Sequence, residues 1–265
     1  MPHLYEIAFT LPPALRQPVA ALLYHLRDLA SQDRDGDIVV WVGARGEADR
    51  LISEVQAQHP EAHATTTRVP VTWGAATATA PTLLGQGFAV CAPGDVAPVG
   101  RQAIVIEPGL GFGHGDHPTT AITAQALERI YAAQQPRTVL DAGTGSGVLG
   151  LMAACLGATV HAFDVDDAAV AAAQRNAQAT DVAQRFTAST QAPSSAVFDL
   201  VVANIHAGPL LALAPTLAPC VGRTLLLSGV RARTAPAVLA AYGAHGLRVV
   251  RQDVMQGWLA IELSR

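Results

Sequence analysis

The chain contains no lysine: all 17 residues counted as Lys+Arg are arginine, for which codon bias toward arginine is the simpler reading and avoidance of a side-chain amine on the chain itself the alternative. Cysteine is nearly as scarce. Cys91, Cys155 and Cys220 are the only three in 265 residues and form no Cys-x-x-Cys pair, which argues against a metal site and a disulfide framework. They read instead as small buried residues in a reducing compartment. Long apolar runs are also missing. The longest, Ala212 to Pro219 and Thr224 to Val230, are broken well short of the roughly 20 residues that a membrane span needs. The first residues, Met-Pro-His-Leu-Tyr-Glu, have neither the basic region nor the apolar core of a signal peptide, so a cytoplasmic location is expected. A net charge of −4 with no run of like charge argues against a dedicated nucleic-acid binder, while a basic protein partner is tolerated. Half of the residues are hydrophobic, enough to bury the core of one large or two modest domains.

The pattern changes along the chain. Leu4 to Phe9 reads as a strand, Pro12 to Ser31 as a helix opened by proline, Asp37 to Gly43 as a strand and Glu47 to Gln58 as a helix. That order suits a small α+β domain of the ferredoxin-like kind over residues 1–64. Thr65 to Pro81 is rich in Thr, Ala and Pro and has no clear periodicity. We therefore expect a linker over residues 65–103. From residue 104 onward, short apolar runs at Thr138 to Leu140, Thr159 to Phe163, Phe198 to Ala203 and Thr224 to Ser228 alternate with Ala- and Leu-rich helical segments. Such alternation predicts a mostly parallel, Rossmann-like, doubly wound α/β sheet. Leu247 to Asp253 and Trp258 to Leu263 are separated by four residues and can pair only as an antiparallel hairpin. A parallel sheet that ends in such a hairpin is the plan of class I S-adenosylmethionine-dependent methyltransferases, and a dinucleotide-binding Rossmann domain lacks that ending.

Within this half, Val139-Leu140-Asp141-Ala142-Gly143-Thr144-Gly145-Ser146-Gly147 is a strand running into a glycine-rich turn that opens a helix. Glycines there let the backbone approach a ligand closely, and the helix N-terminus offers free N–H groups. An acid at Asp141 suits the cationic amino-acid end of a ligand and would repel a pyrophosphate. The next strand ends at Asp164, about twenty residues on, where an acid normally receives ribose hydroxyls. Asp164 and Asp166 are equally suited to capping the helix that starts near Asp167. A third strand end, Ala203-Asn204-Ile205-His206, places Asn204 past the C-terminal edge of a buried strand, where open α/β sheets bind ligands. Asn204 also suits a turn or helix cap. His117 and His206 are candidate proton acceptors, with a structural or pocket-lining role as the simpler reading. Thr119 and Thr120 are placed to cap a helix over 121–131.

A fourth segment, Glu107-Pro108-Gly109-Leu110-Gly111-Phe112-Gly113-His114-Gly115-Asp116-His117-Pro118-Thr119-Thr120, precedes the other three. Followed by Asp-x-Gly-x-Gly-Ser-Gly and Ala-Asn-Ile-x-Ala, it resembles the PrmA family, which methylates ribosomal protein L11, over roughly residues 104 to 265. The resemblance implies S-adenosylmethionine as cofactor, held by His114, Asp141, Gly143, Gly145, Asp164 and Asn204. It makes Asn204 the catalytic residue and the lysine or N-terminal amines of ribosomal protein L11 the substrate. Another protein or a small amine remains the alternative substrate. His114 stands where the family has threonine, and of the paired tryptophans usual in the interdomain segment only Trp73 is present. A monomer without metal, membrane or direct nucleic-acid contact is expected. A non-catalytic binding module and an NAD-dependent oxidoreductase are the competing readings.

Overall fold

The computed structural model describes residues 3–27, 32–34, 36–42, 44–70, 81–107, 115–194 and 196–265. They divide into two compact units, 1–73 and 74–265. The first unit runs β1 (His3–Thr10), α1 (Arg16–Arg27), β2 (Gln32–Arg34), β3 (Asp37–Val42), α2 (Arg45–Gln58) and β4 (His63–Pro70). Its sheet has the order β2-β3-β1-β4, and every neighbouring pair is antiparallel. A β-α-β-β-α-β chain with that order is the ferredoxin-like arrangement. Its core forms because the strands alternate. Ile7 and Phe9 on β1 and Ile38, Val40 and Val42 on β3 are buried together with Val19 and Leu23 of α1 and Leu51 and Val55 of α2. On the other side of the sheet, Glu6 lies opposite Trp41 in register, and its carboxylate accepts from the Trp41 indole and the Arg34 guanidinium.

The second unit runs β5 (Thr82–Leu84), β6 (Phe88–Cys91), β7 (Gln102–Val105), α3 (Pro118–Gln134), β8 (Thr138–Ala142), α4 (Val148–Cys155), β9 (Thr159–Phe163), α5 (Asp167–Ala179), β10 (Phe186–Ser189), β11 (Phe198–Asn204), α6 (Ala207–Cys220), β12 (Val221–Arg231), α7 (Ala235–Gly243), β13 (Arg248–Met255) and β14 (Trp258–Ser264). Seven strands make the main sheet, in the order β10-β9-β8-β11-β12-β14-β13. The first five are parallel to their neighbours, and β14 runs antiparallel to both β12 and β13. The expected closing hairpin is therefore present, at 248–264. Adjacent residues of each central strand enter different cores. Val139, Val160, Val202 and Leu226 join α3, α4 and α5 on one face, whereas Leu140, Phe163, Val201 and Leu227 join α6 and α7 on the other. Burial on both faces explains why these strands read as unbroken apolar runs.

The expected linker over 65–103 is a different matter. Residues 65–70 belong to β4, which pairs with β1 along its whole length. At the far end, Leu84, Phe88, Val90 and Ile104 of the small β5-β6-β7 sheet are buried in the α3–α5 core. The Thr-rich stretch hides a strand because threonine is β-branched and suits a half-exposed sheet. The strands after it span three or four residues, too few to display a period. Residues 71–80, with Trp73, lie outside the described residues. Among the described residues no helix is long and apolar enough to cross a membrane.

At the base of the sheet, Asp199 locks β11 to β8. Its carboxylate accepts from the backbone N–H of Arg137 and Thr138 at 2.8 and 3.1 Å, while its own N–H donates to the Thr138 hydroxyl. The Arg137 N–H foremost holds its pKa below the usual carboxylate range. A depressed folded-state pKa contributes stability above the unfolded value, about 3.9, and loses it as pH falls through the folded one. Asp199→Ala should lower stability by about 1 kcal/mol at pH 7, a figure discounted for partial exposure. Urea unfolding at pH 7 and pH 3 checks this, with the wild-type advantage expected to shrink at the lower pH.

Candidate active site

Strand order reverses between β8 and β11, since β8 leads to β9 on one side while β11 lies on its other side. At such a reversal the loops beyond the strand ends diverge and leave a crevice. The glycine loop between β8 and α4 lies here. Gly143, Gly145 and Gly147 all have positive φ, at 71°, 54° and 87°. A Cβ on Gly143 would collide with the Ile205 side chain, and one on Gly147 would sit 3.1 Å from the Ala173 Cβ. The loop is thus pressed between the end of β11 and the face of α5.

Three backbone N–H groups of the loop are directed to the end of β9. Gly143 and Thr144 donate to the Phe163 carbonyl at 2.8 and 3.1 Å, and Gly145 donates to Asp164 Oδ2 at 3.0 Å. Asp164 Oδ1 accepts from the Asp166 N–H at 3.1 Å. A carboxylate has about four acceptor directions, so Asp164 keeps capacity for further donors. Asp166 is the true cap of α5, accepting from the Ala168 N–H at 2.8 Å. Between the two, Val165 is 86% exposed, an apolar side chain on the crevice rim that sequence reading passed over.

Asp141, read as a ligand contact, lies beneath the loop instead and is 2% exposed. Its position in β8 points it to the α4 face, where Oδ2 accepts from the Thr144 hydroxyl at 2.6 Å and the Gly150 N–H at 3.1 Å. Burial is the main force that pushes its pKa up to about 6, opposed by those two hydrogen bonds and assisted by the charge of Asp164. It shapes the loop from below.

Asn204 ends β11 in register with Ser228 of β12. Its Oδ1 is buried and accepts no hydrogen bond from any described residue. The Thr120 hydroxyl, in the first turn of α3, is likewise buried without a partner among the described residues. The helix that carries it begins at Pro118 rather than at 121, and its cap is His117, not a threonine. Nδ1 of His117 accepts from the Thr119 N–H at 3.3 Å and lies 2.8 Å from the Thr119 hydroxyl. An N–H can only donate, so Nδ1 is the acceptor nitrogen and the ring proton resides on Nε2. That tautomer makes Nε2 a donor, which disfavours His117 as a proton acceptor. Its ring makes a T-shaped contact with Trp258, centroids 5.3 Å apart, and the Trp258 face carries the Arg231 guanidinium at 3.8 Å. Burial chiefly keeps the His117 pKa below the usual imidazole value. His206 occupies the cap position of α6 without a side-chain cap bond. His114 lies outside the described residues. Among the described residues no cluster of His, Cys, Asp and Glu is arranged to hold a metal.

The sequence profile of the family described as ribosomal protein L11 methyltransferase (PrmA) matches residues 31–265. The chain belongs to this family. Relatives named ribosomal protein L11 methyltransferase include one from Mesorhizobium japonicum, 41% identical over 62% of this chain and 60% of its own length. Another, from Brucella abortus, is 39% identical over 65% of this chain and 62% of its own. The chain thus spans about three fifths of the length of these curated relatives. The crystal structure of ribosomal protein L11 methylase from Lactobacillus delbrueckii subsp. bulgaricus superimposes with a TM-score of 0.62 at 30% identity, covering 69% of this chain and 96% of that one. With the strand order above, this establishes the class I methyltransferase fold.

The buried acid under the loop has a measurable signature. A carboxyl whose folded pKa is raised favours folding below its unfolded value, and that contribution is lost as pH rises through the folded value. Wild-type stability should therefore fall between about pH 4 and pH 6, by on the order of 3 kcal/mol. Asp141→Asn keeps an acceptor for Thr144 and Gly150, and its denaturation midpoint should lack this descent. An unchanged descent in the variant would assign it to another group.

Proposed function

We propose that this protein transfers methyl groups from S-adenosylmethionine to lysine side-chain or N-terminal amines of ribosomal protein L11. Family membership supports the substrate, and the buried acceptor on Asn204 beside the glycine loop carries the chemistry. A buried carbonyl oxygen left without a donor costs about 1–3 kcal/mol, and at the C-terminal edge of a switch-point strand a ligand's N–H offsets that cost.

The residues present fit the cofactor. Asn204 Oδ1 is a buried acceptor without a donor among the described residues, Asp164 retains acceptor capacity suited to two ribose hydroxyls, and Val165 offers an exposed apolar surface beside it. Gly143, Gly145, Asp164 and Asn204 would hold the molecule, with Asp141 fixing the loop from below and His114 as the expected further contact. When bound, S-adenosylmethionine supplies a methyl group on a sulfonium that is open to in-line displacement.

The chain's own task is to present a neutral amine. A lysine ammonium, with a solution pKa of about 10.4, has no free lone pair. Removal from water on binding favours the neutral form. The Asn204 Oδ1 and a neighbouring main-chain carbonyl accept the amine's N–H groups and aim its lone pair at the methyl carbon. Alignment of the two reactants is the main contribution to rate, and water suffices as proton acceptor.

Incubation with radiolabelled S-adenosylmethionine and isolated ribosomal protein L11 should place label on lysine or N-terminal amines by mass spectrometry. Cofactor binding without label would move the substrate to another amine. Asn204→Ala should reduce kcat by about 100-fold, and unchanged turnover with intact cofactor affinity would remove Asn204 from the mechanism.

A further inference from the structure

The helix α5 buries a stripe of small residues, Ala169, Ala173 and Ala177, and Ala173 of that stripe meets Gly147 of the glycine loop. Asn176 stands in the same stripe, 1% exposed, and is the only polar residue buried on that helix among the described residues. Both ends of its amide are used. Nδ2 donates to the Ser146 carbonyl in the glycine loop at 2.8 Å, and Oδ1 accepts from the Glu107 N–H at 2.9 Å. A carbonyl only accepts and a backbone N–H only donates, so the two partners fix the orientation of the amide. Ser146 belongs to the glycine loop, and Glu107 is the first residue of the motif at 107–120. One side chain therefore bridges two motifs that lie 39 residues apart in sequence, 107 against 146.

We propose that Asn176 is a positioning residue that holds the glycine loop and the start of the 107–120 motif at a fixed separation, presetting the crevice for the cofactor. The inference rests on the reading that this crevice takes S-adenosylmethionine. Ala173, one turn earlier, meets Gly147, so the loop is steric against α5 on one side of Ser146 and hydrogen-bonded to it at Ser146 itself. A surface ion pair from Arg175 to the Glu107 carboxylate, at 2.9 Å, adds to the same anchor.

The structure supplies its own control. Thr180, one turn beyond Asn176, also ties α5 to β7, accepting from the Val105 N–H at 3.0 Å. No hydrogen bond from it to the glycine loop is present among the described residues. Asn176→Ala removes both bonds, Asn176→Asp keeps the one to Glu107 but cannot donate to Ser146, and Thr180→Val loosens the helix–strand tie alone. In calorimetric titration, both Asn176 variants should weaken S-adenosylmethionine binding by about tenfold, with kcat at saturation nearly unchanged, while Thr180→Val binds as wild type. In the ligand-free protein, amide exchange at Gly147 and Val148 should accelerate in the Asn176 variants and not in Thr180→Val. Equal effects in Thr180→Val, or wild-type affinity and exchange in both Asn176 variants, would overturn the proposal. If the wild type binds no S-adenosylmethionine, the cofactor reading fails and the exchange comparison alone decides the role of Asn176.

Discussion

The crevice depends on the glycine loop being suspended from the end of β9. The loop, with three residues at positive φ, closes one turn on itself from the Gly147 N–H to the Thr144 carbonyl, and its other N–H groups must be satisfied elsewhere if they are to be buried. The Phe163 carbonyl and the Asp164 carboxylate receive the first three. That attachment works only if β8 and β9 are adjacent, parallel and in register, so that Ala142 stands opposite Phe163. The order of the sheet is thus a precondition of the loop's shape. Asp141 then braces the loop from below through Thr144 and Gly150.

Polar side chains along this sheet are satisfied by specific partners, and each pairing links two segments. Asp141 links β8 to the start of α4, Asp199 links β11 to β8, and Asn176 links α5 to both the loop and Glu107. In a buried setting such bonds are costly to leave unmade, which makes them specific as well as stabilising. Asn204 Oδ1 and the Thr120 hydroxyl depart from that pattern. Asn204 lies at the C-terminal edge of β11, where an acceptor buried without a donor among the described residues is one that a ligand can complete.

Much of the second unit was legible in advance because its central strands are buried on both faces and announce themselves as apolar runs between Ala-rich helices. The closing hairpin followed from a separation too short for a crossover. In the first unit the helices and two strands were readable from periodicity, whereas β2 was too short and β4 was concealed by its threonines. At the site, the glycines and the acid at 164 stood out by spacing. His117 as a cap, Val165 on the rim and Asn176 in an alanine stripe carried no signal of their own, since each owes its role to a neighbour distant in sequence.

The sequence by itself determined the alternation of strand and helix, the antiparallel ending, the glycine loop and the strand-end residues Asp164 and Asn204, because these follow from periodicity and local backbone freedom. Only the tertiary structure decided that Asp141 faces inward, that His117 caps a helix with its proton on Nε2, and that Asn176 joins two motifs. Those outcomes depend on which face of a strand or helix a side chain occupies and on what the packed chain brings against it, information that no local stretch of residues contains.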